Sequence, residues 1–111
     1  MKEILAIIRP NKIDDTKKAL DKIGVPAYTT KKVIGRGKEP VDIKLSGFKA
    51  KKTTFLPKRA FWIVVSDEDE ERVVEAIMDV NSTGNHGDGK IFVMDSMKDY
   101  TVSTKSVNNK V

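Results

Sequence analysis

Apolar and polar residues follow two periodicities along this chain, and the same order of the two occurs twice. Residues 4–8 form a short apolar run typical of a strand, and residues 13–23 place apolar side chains at helical spacing. A strand-like run at 27–34 follows, and the order then restarts with a predicted strand at 60–65, a helix ending near Asn81 and a strand at 91–94. Two strand–helix–strand halves predict an α+β, ferredoxin-like split βαβ sandwich (βαββαβ), with both helices on one face of a four-stranded antiparallel sheet.

Residues typical of helix ends delimit both predicted helices. Asn11 lies three residues before Asp14, and Ser66 lies three residues before Asp69, so Asn11 and Ser66 are predicted N-caps. Gly24 is a predicted C-terminal stop for the first helix.

Two of the predicted strands are apolar on both faces. An antiparallel sheet that is covered on one face only should alternate apolar with polar residues, and residues 4–8 and 61–65 do not. Since both helices lie on one face, the other face needs a second copy of the chain. A homo-oligomer with its sheets packed together is therefore expected.

The segment 38–54 fits neither periodicity and contains Pro40 and Gly47. Long connections of this kind are usually functional, so a mobile loop that protrudes from the domain is predicted. The loop is strongly basic, which indicates that it docks on a target protein. Its candidate docking residues are Lys44, Lys49, Lys51 and Lys52. Residues 100–111 are polar without a clear period and are interpreted as a C-terminal extension.

The composition limits the class of protein. A chain of 111 residues makes one domain, 1–111, and the absence of cysteine excludes disulfides and thiolate metal sites. No apolar run reaches the length of a membrane span, so a soluble cytoplasmic protein is expected. The net charge is +5, but only Phe48 and Phe55 offer aromatic rings within the basic segment, so nucleic acid is not predicted as a partner.

The turn at 83–90 contains three glycines and ends in a lysine. Its spacing at Gly84, Gly89 and Lys90 matches a P-loop, but Ile91 stands where a P-loop needs Ser or Thr for Mg²⁺. A P-loop also leads from a strand into a helix, whereas this turn leads from a predicted helix into a strand. Two interpretations remain, an anion cradle built from backbone N–H groups and a lysine, or a plain connecting turn.

Two other residues have a structural interpretation that competes with a functional one. His86 is the only histidine, and with no partners for metal binding or catalysis it is interpreted as an exposed turn residue. Trp62 stands in an apolar strand, where a core or interface role is favoured over stacking on a nucleotide base.

Four stretches of the chain resemble the PII nitrogen-regulatory proteins. They are Thr83-Gly84-x-x-Gly87-Asp88-Gly89-Lys90-Ile91-Phe92-Val93, Ile7-Ile8-Arg9-Pro10-x-Lys12, Val33-x-Gly35-x-Gly37 and Phe55-Leu56-Pro57-Lys58. The resemblance implies a trimer with nucleotide sites between subunits, which bind ATP or ADP, and 2-oxoglutarate beside Mg-ATP. It also implies a non-catalytic sensor, in which ligands shift the population of the protruding loop's states.

The resemblance assigns roles to particular residues. It implies that the phosphates contact Gly87, Asp88, Gly89 and Lys90. It places Gly35, Gly37, Lys38 and Lys58 on the opposite wall, and Ile7, Thr29 and Val64 near the adenine and ribose.

Several positions depart from the family pattern. Lys38 stands for an arginine, and Glu39 stands for a glutamine that helps to hold Mg²⁺ and 2-oxoglutarate, where a carboxylate would repel the dianionic effector. Lys51 replaces the tyrosine that many members carry, which excludes uridylylation there. Thr101 and Ser103 replace two phosphate-binding arginines. Trp62 replaces an acidic residue often found near the base of the loop.

The departures leave three hypotheses open for the ligand site. The protein binds ATP or ADP weakly, or a paralogous subunit in a mixed oligomer supplies the missing groups, or the nucleotide site has been lost. The mixed oligomer suits the subgroup of PII-like proteins that regulates nitrogenase. The alternative is a general PII protein that regulates an ammonium channel or glutamine synthetase. An enzyme of phosphoryl transfer is disfavoured because no hydroxyl follows Lys90 to hold Mg²⁺.

Overall fold

The computed structural model describes residues 1–37, 41–45, 48–52 and 54–108, with the backbone alone at 41–45 and 48–52. Its elements in chain order are β1 (Lys2–Ile8), a 3-10 turn (Pro10–Lys12), α1 (Ile13–Lys22), β2 (Thr29–Gly35), β3 (Val41–Leu45), β4 (Phe48–Lys52), β5 (Leu56–Val65), a 3-10 turn (Asp67–Asp69), α2 (Glu70–Asn81), β6 (Gly89–Asp95), β7 (Asp99–Thr101) and β8 (Ser106–Asn108).

The main sheet has four strands in the order β2-β5-β1-β6, and every neighbouring pair is antiparallel. Both helices pack on one face of this sheet, where Leu20 of α1 and Ile77 of α2 join the same apolar cluster as Ile4 and Phe61. Each such fully buried side chain contributes roughly 1.5–3 kcal/mol. The predicted ferredoxin-like α+β sandwich is therefore confirmed.

The helices are also joined by a buried polar contact. The amide nitrogen of Asn81 donates to Thr16 Oγ1 at 3.0 Å and to the carbonyl of Ile77 at 2.8 Å. Thr16 in turn donates to the carbonyl of Lys12 at 2.8 Å. Because both groups next to the amide nitrogen of Asn81 accept hydrogen bonds, this nitrogen, and not the amide oxygen, points toward them.

The two helix starts differ from the predicted caps. α1 begins at Ile13, and Asn11 lies inside the preceding 3-10 turn without a side-chain cap bond. Ser66 donates its hydroxyl to the Asp69 carboxylate at 3.0 Å instead of accepting from the backbone. The predicted cap at Asn11 is therefore wrong, whereas Ser66 is the N-cap residue of the 3-10 turn that leads into α2, without a side-chain bond to the backbone. The predicted stop at Gly24 is confirmed by its φ of 77°.

The other face of the sheet carries large apolar side chains. Leu5 lies between Trp62 and Phe92 in the strand register, and Glu3 lies between Val64 and Met94. Within the described part of the chain, Trp62 remains 50% exposed and Phe92 44% exposed. The indole nitrogen of Trp62 donates to Glu3 at 3.1 Å. We refer to this surface as the open face.

The segment between β2 and β5 contains regular structure where an irregular loop was predicted. β3 and β4 pair as a separate antiparallel sheet, with Val41 opposite Lys52 and Leu45 opposite Phe48. The missed signal is the strict alternation of apolar and polar residues in Val41–Leu45. Residues 38–40, 46–47 and 53 lie outside the described part, and the predicted mobility stays a prediction.

The C-terminal extension also has structure that its sequence did not predict. β7 and β8 form a short hairpin in which Tyr100 lies opposite Val107. These strands are only three residues long, too short to show a periodicity. Across the described ranges, no helix combines the length and the apolar character that crossing a membrane requires.

Candidate anion-binding site

The glycine turn connects the end of α2 to the start of β6, which confirms the predicted order of helix, turn and strand. Gly84, Gly87 and Gly89 all have positive φ, between 80° and 122°. Gly89 pairs with Ile8, and a Cβ atom there would lie far inside van der Waals contact of the Ile7 carbonyl oxygen. Position 89 is occupied by glycine because the backbone of β1 leaves no room for a side chain there.

Asp88 closes the glycine turn on itself. Its carboxylate accepts the backbone N–H of Thr83 at 2.6 Å, the N–H of Gly84 at 3.0 Å, and the hydroxyl of Thr83. The hydroxyl and then the backbone N–H of Thr83, together with the charge of Arg9, lower the pKa of Asp88. The carboxylate therefore shapes the turn by accepting hydrogen bonds from the turn's own donors.

Arg9 holds the same turn from the end of β1. Its Nε donates to the carbonyl of Gly87 at 2.9 Å, and its Nη2 donates to the carbonyl of His86 at 2.7 Å. The guanidinium also lies 3.4 Å from a carboxylate oxygen of Asp88. Arg9 was not among the residues predicted for the site, although it directly follows an apolar strand. The register between β1 and β6 is what brings it to the turn.

Lys58 adds a second cation from β5. Its Nζ donates to the carbonyl of Gly87 at 2.9 Å, and its Cγ lies 4.0 Å from the position a Cβ of Gly35 would take. Burial lowers the pKa of Lys58, and the charge of Arg9 lowers it further. Gly35, Lys58 and Gly87, which the sequence places far apart, therefore lie in one site.

A groove on the open face leads away from Lys58. Its volume is about 320 Å³, and it runs past Trp62 and Leu5. Four of the predicted ligand residues line it, namely Ile7, Thr29, Gly35 and Lys58. Lys90 lies opposite Ile7 on β6 and is exposed, and Gly37 follows the end of β2. The structure thus brings Ile7, Gly35 and Lys58 to the end of the sheet where the glycine turn lies, while Thr29 lines the same groove farther along β2.

Val64 does not join this group. Ile7 lies opposite Ala60, and Val64 is four residues farther along β5. At about 3.3 Å per residue, Val64 lies roughly 13 Å along the strand from the Ile7 level. Within a single copy of the chain, Val64 therefore lies apart from the glycine turn.

Several predicted residues cannot be placed in the site. Lys38 and Glu39 lie outside the described residues, and only the backbone is described at Lys44, Lys49, Lys51 and Lys52. Thr101 and Ser103 are exposed in the C-terminal hairpin. Among the described side chains, no group of three or more His, Asp or Glu residues could hold a metal ion.

The fold and the site together define a small ferredoxin-like domain whose glycine turn is held by two cations at the mouth of an open-face groove. The chain belongs to the family of the nitrogen regulatory protein P-II, whose family model matches residues 1–106. Members of this family act in nitrogen regulation and form oligomers.

The proteins to which this chain is similar are named either for the nitrogen-fixation nifHD region or as nitrogen regulatory protein P-II. It is 45% identical over 102 residues, covering 84% of each chain, to the "Nitrogen fixation nifHD region glnB-like protein 2" of Methanococcus maripaludis. It is 41% identical over 106 residues, covering 94% of this chain and 95% of the relative, to the "Nitrogen fixation nifHD region GlnB-like protein 1" of Methanothermococcus thermolithotrophicus. It is also 39% identical over 108 residues, covering 97% and 96%, to the "Nitrogen regulatory protein P-II" of Pasteurella multocida.

Proposed function

We propose that this protein is a non-catalytic regulator of nitrogen fixation that senses adenine nucleotides at its glycine turn. The observation that carries the proposal is the convergence of Lys58 and Arg9 on the carbonyl of Gly87. Two cations at one turn, one of them with a pKa lowered by burial, form an environment that an anion would stabilise. Phosphate is such an anion.

The groove gives a reason to favour a nucleotide over a small anion. It begins at Lys58 and continues along the apolar side chains of Ile7 and Leu5. Phosphates beside Lys58 would leave the base and ribose in this apolar part, with Thr29 as a polar contact. ATP and ADP differ in phosphate charge, so they would differ in affinity at the two cations and could bias the β3–β4 hairpin differently.

The open face supports an oligomer with its ligand sites between subunits. Apolar side chains of the size of Trp62 and Phe92 are rarely left in an exposed cluster, and packing them against a second copy would bury them. A neighbouring subunit would also bring its own Val64 toward the groove of the first. We therefore propose a trimer, or a mixed oligomer of the same architecture.

A paralogous partner accounts for the incomplete phosphate contacts. The family's two arginines are replaced here by Thr101 and Ser103, and losing each charge-assisted bond costs about 1.5–3 kcal/mol. A partner subunit with those arginines would complete the site. This chain resembles relatives named protein 1 and protein 2 of the nifHD region, which supports a pair of paralogues. Glu39 would weaken 2-oxoglutarate binding beside Mg-ATP, so ATP and ADP are the favoured ligands.

The favoured target is nitrogenase, docked through the lysines of the β3–β4 hairpin. The nitrogen-fixation names of the relatives support this choice. A second candidate is a general regulator of an ammonium channel or glutamine synthetase, supported by the similarity to the Pasteurella multocida protein.

Calorimetry tests the nucleotide proposal. We expect ATP and ADP to bind the purified protein weakly. The double variant Thr101→Arg/Ser103→Arg should bind them more tightly, by about a hundredfold or more, because each of the two restored contacts adds about 1.5 kcal/mol or more. The matched double variant Thr101→Gln/Ser103→Gln keeps long polar side chains without charge and should not gain affinity. If neither the wild type, nor the arginine variant, nor a mixture with the paralogue binds a nucleotide, the proposal is wrong.

A deletion tests the docking role. Removal of residues 41–51 should leave the main sheet and its oligomer folded and abolish inhibition of nitrogenase in a reconstituted assay. Retained inhibition after this deletion would overturn the docking role of the hairpin.

A further inference from the structure

Lys32 and Arg59 form a pair of like charges directly opposite each other on β2 and β5. Side chains in such a cross-strand pair have Cβ atoms about 4.5–5.5 Å apart, and like charges there are destabilising. Among the described residues, no ion pair involves either side chain. The two cations thus lie opposite each other in the strand register with no described carboxylate to neutralise either of them.

These two cations border a wide concave surface, which we call the Lys32–Arg59 groove. Its volume is about 810 Å³, and its lining includes Ile34, Pro57 and Pro10. Ile34 is 73% exposed, so the lining of the groove includes an apolar side chain that is open to solvent. The groove thus combines two unneutralised positive charges with an exposed apolar wall.

The Lys32–Arg59 groove adjoins the groove of the open face at the β2 edge of the sheet, where Val33, Ile34 and Lys58 line both. Lys32 and Arg59 project on the helix side, whereas their chain neighbours Lys31 and Ala60 line the groove of the open face. Substituting Lys32 and Arg59 therefore changes no side chain that lines the groove proposed for the nucleotide.

We propose that the Lys32–Arg59 groove binds an acidic segment of a partner protein. Carboxylates between Lys32 and Arg59 would relieve their repulsion, and an apolar side chain of the same segment would cover Ile34. A small inorganic anion would neutralise the charges but leave the apolar wall exposed, so a peptide segment satisfies both features. Ile34 directly precedes the last residue of β2, from which the chain continues toward the β3–β4 hairpin. The identification of the partner as the regulated target rests on the proposed function, while the acid-binding groove itself does not.

The test uses a short fluorescein-labelled peptide in which glutamate alternates with leucine. Its matched control peptide has glutamine in place of glutamate. By fluorescence anisotropy, the wild-type protein should bind the glutamate peptide, and the affinity should fall as salt is raised. The double variant Lys32→Gln/Arg59→Gln should bind it roughly five- to tenfold more weakly, as expected for two partly exposed ion pairs.

A matched variant controls for net charge. Lys18→Gln/Lys22→Gln removes the same two charges from α1, outside the groove, and should bind the peptide like the wild type. Thermal unfolding gives a second readout that needs no ligand. Neutralising Lys32 or Arg59 alone should raise Tm by about 2 °C, and neutralising the second cation should add little, because the repulsion has already been removed.

Several results would overturn the proposal. One is equal binding of the glutamate peptide by the wild type and the groove variant, and another is binding of the glutamine peptide as tight as that of the glutamate peptide. A third is displacement of the labelled peptide by inorganic triphosphate at the concentration at which unlabelled peptide displaces it. ATP affinity measured on the same variants separates this proposal from the proposed function. A groove variant that loses the peptide but keeps ATP affinity supports both, whereas a wild type that binds the peptide but never ATP refutes only the nucleotide site.

Discussion

The ammonium group of Lys58 donates a 2.9 Å hydrogen bond to the carbonyl of Gly87, joining β5 to the glycine turn across 29 positions of sequence. Arg9 donates to the same carbonyl from β1. Two cations thus hold one peptide group of the turn, and they lie where β2, β5 and the turn meet. An anion that binds here would contact two cationic side chains that are already held in position. The entropic cost of ordering these side chains on binding is therefore reduced.

Replacing Lys58 should abolish most nucleotide binding. Lys58→Met keeps much of the side chain's length and removes its charge, so ATP affinity should fall about ten- to a hundredfold, the worth of one charge-assisted bond. Calorimetry measures the loss. Lys18→Met on the exposed surface of α1 is the control and should bind ATP like the wild type. An unchanged ATP affinity in Lys58→Met would remove Lys58 from the ligand site.

Nucleotide binding should take up protons at alkaline pH. Burial and the charge of Arg9 lower the pKa of Lys58 below its ordinary 10.5 in the free protein. A phosphate beside the ammonium group favours its charged form and raises this pKa on binding. Between the two pKa values, binding therefore takes up a proton, and ATP affinity falls as pH rises through that window.

The proton uptake can be measured by calorimetry at pH of about 9 in two buffers of different ionisation enthalpy. Lys58→Met serves as the control in the same buffers. If wild type and variant show the same buffer dependence, Lys58 is not the group that takes up the proton.

Substitution of Gly89 should be far more damaging than substitution of Gly84. Gly89 has a φ of 122°, and its added Cβ would collide with the Ile7 carbonyl, so β1 and β6 would have to separate. We expect Gly89→Ala to lower the free energy of unfolding by roughly 3 kcal/mol. Gly84 has a φ of 80° with nothing within 4 Å of its added Cβ, and Gly84→Ala should cost only about 1 kcal/mol. Urea denaturation compares the two, and equal costs would contradict this close approach.

The buried contact between the helices gives a further prediction about stability. Asn81→Asp places an oxygen where an N–H now donates to Thr16 and to the Ile77 carbonyl. A buried charge facing acceptors should lower the free energy of unfolding by about 3 kcal/mol at neutral pH. The control is Asn11→Asp at an exposed position, expected to change stability by less than about 0.5 kcal/mol. A small effect of Asn81→Asp in urea denaturation would mean that the helices are joined by apolar packing alone.

The two β-α-β halves, the glycine turn and its place between a helix and a strand could be predicted from the sequence. They depend on local burial patterns and on backbone conformations that glycine adopts more readily than other residues. The β3–β4 hairpin was also readable in the alternation of Val41–Leu45 and was missed. The three-residue strands of the C-terminal hairpin are too short to leave a pattern.

The contacts of the site were decided by the tertiary structure alone. The resemblance implied Asp88 as a phosphate contact, and only the structure shows that its carboxylate also binds Thr83 and Gly84. Arg9 was not predicted, and it reaches the turn through the register of β1 with β6. Strand register fixes which distant residues become neighbours, and no local periodicity encodes it. For the same reason, only the register of β2 with β5 places Lys32 opposite Arg59, two cations that the sequence separates by 27 positions.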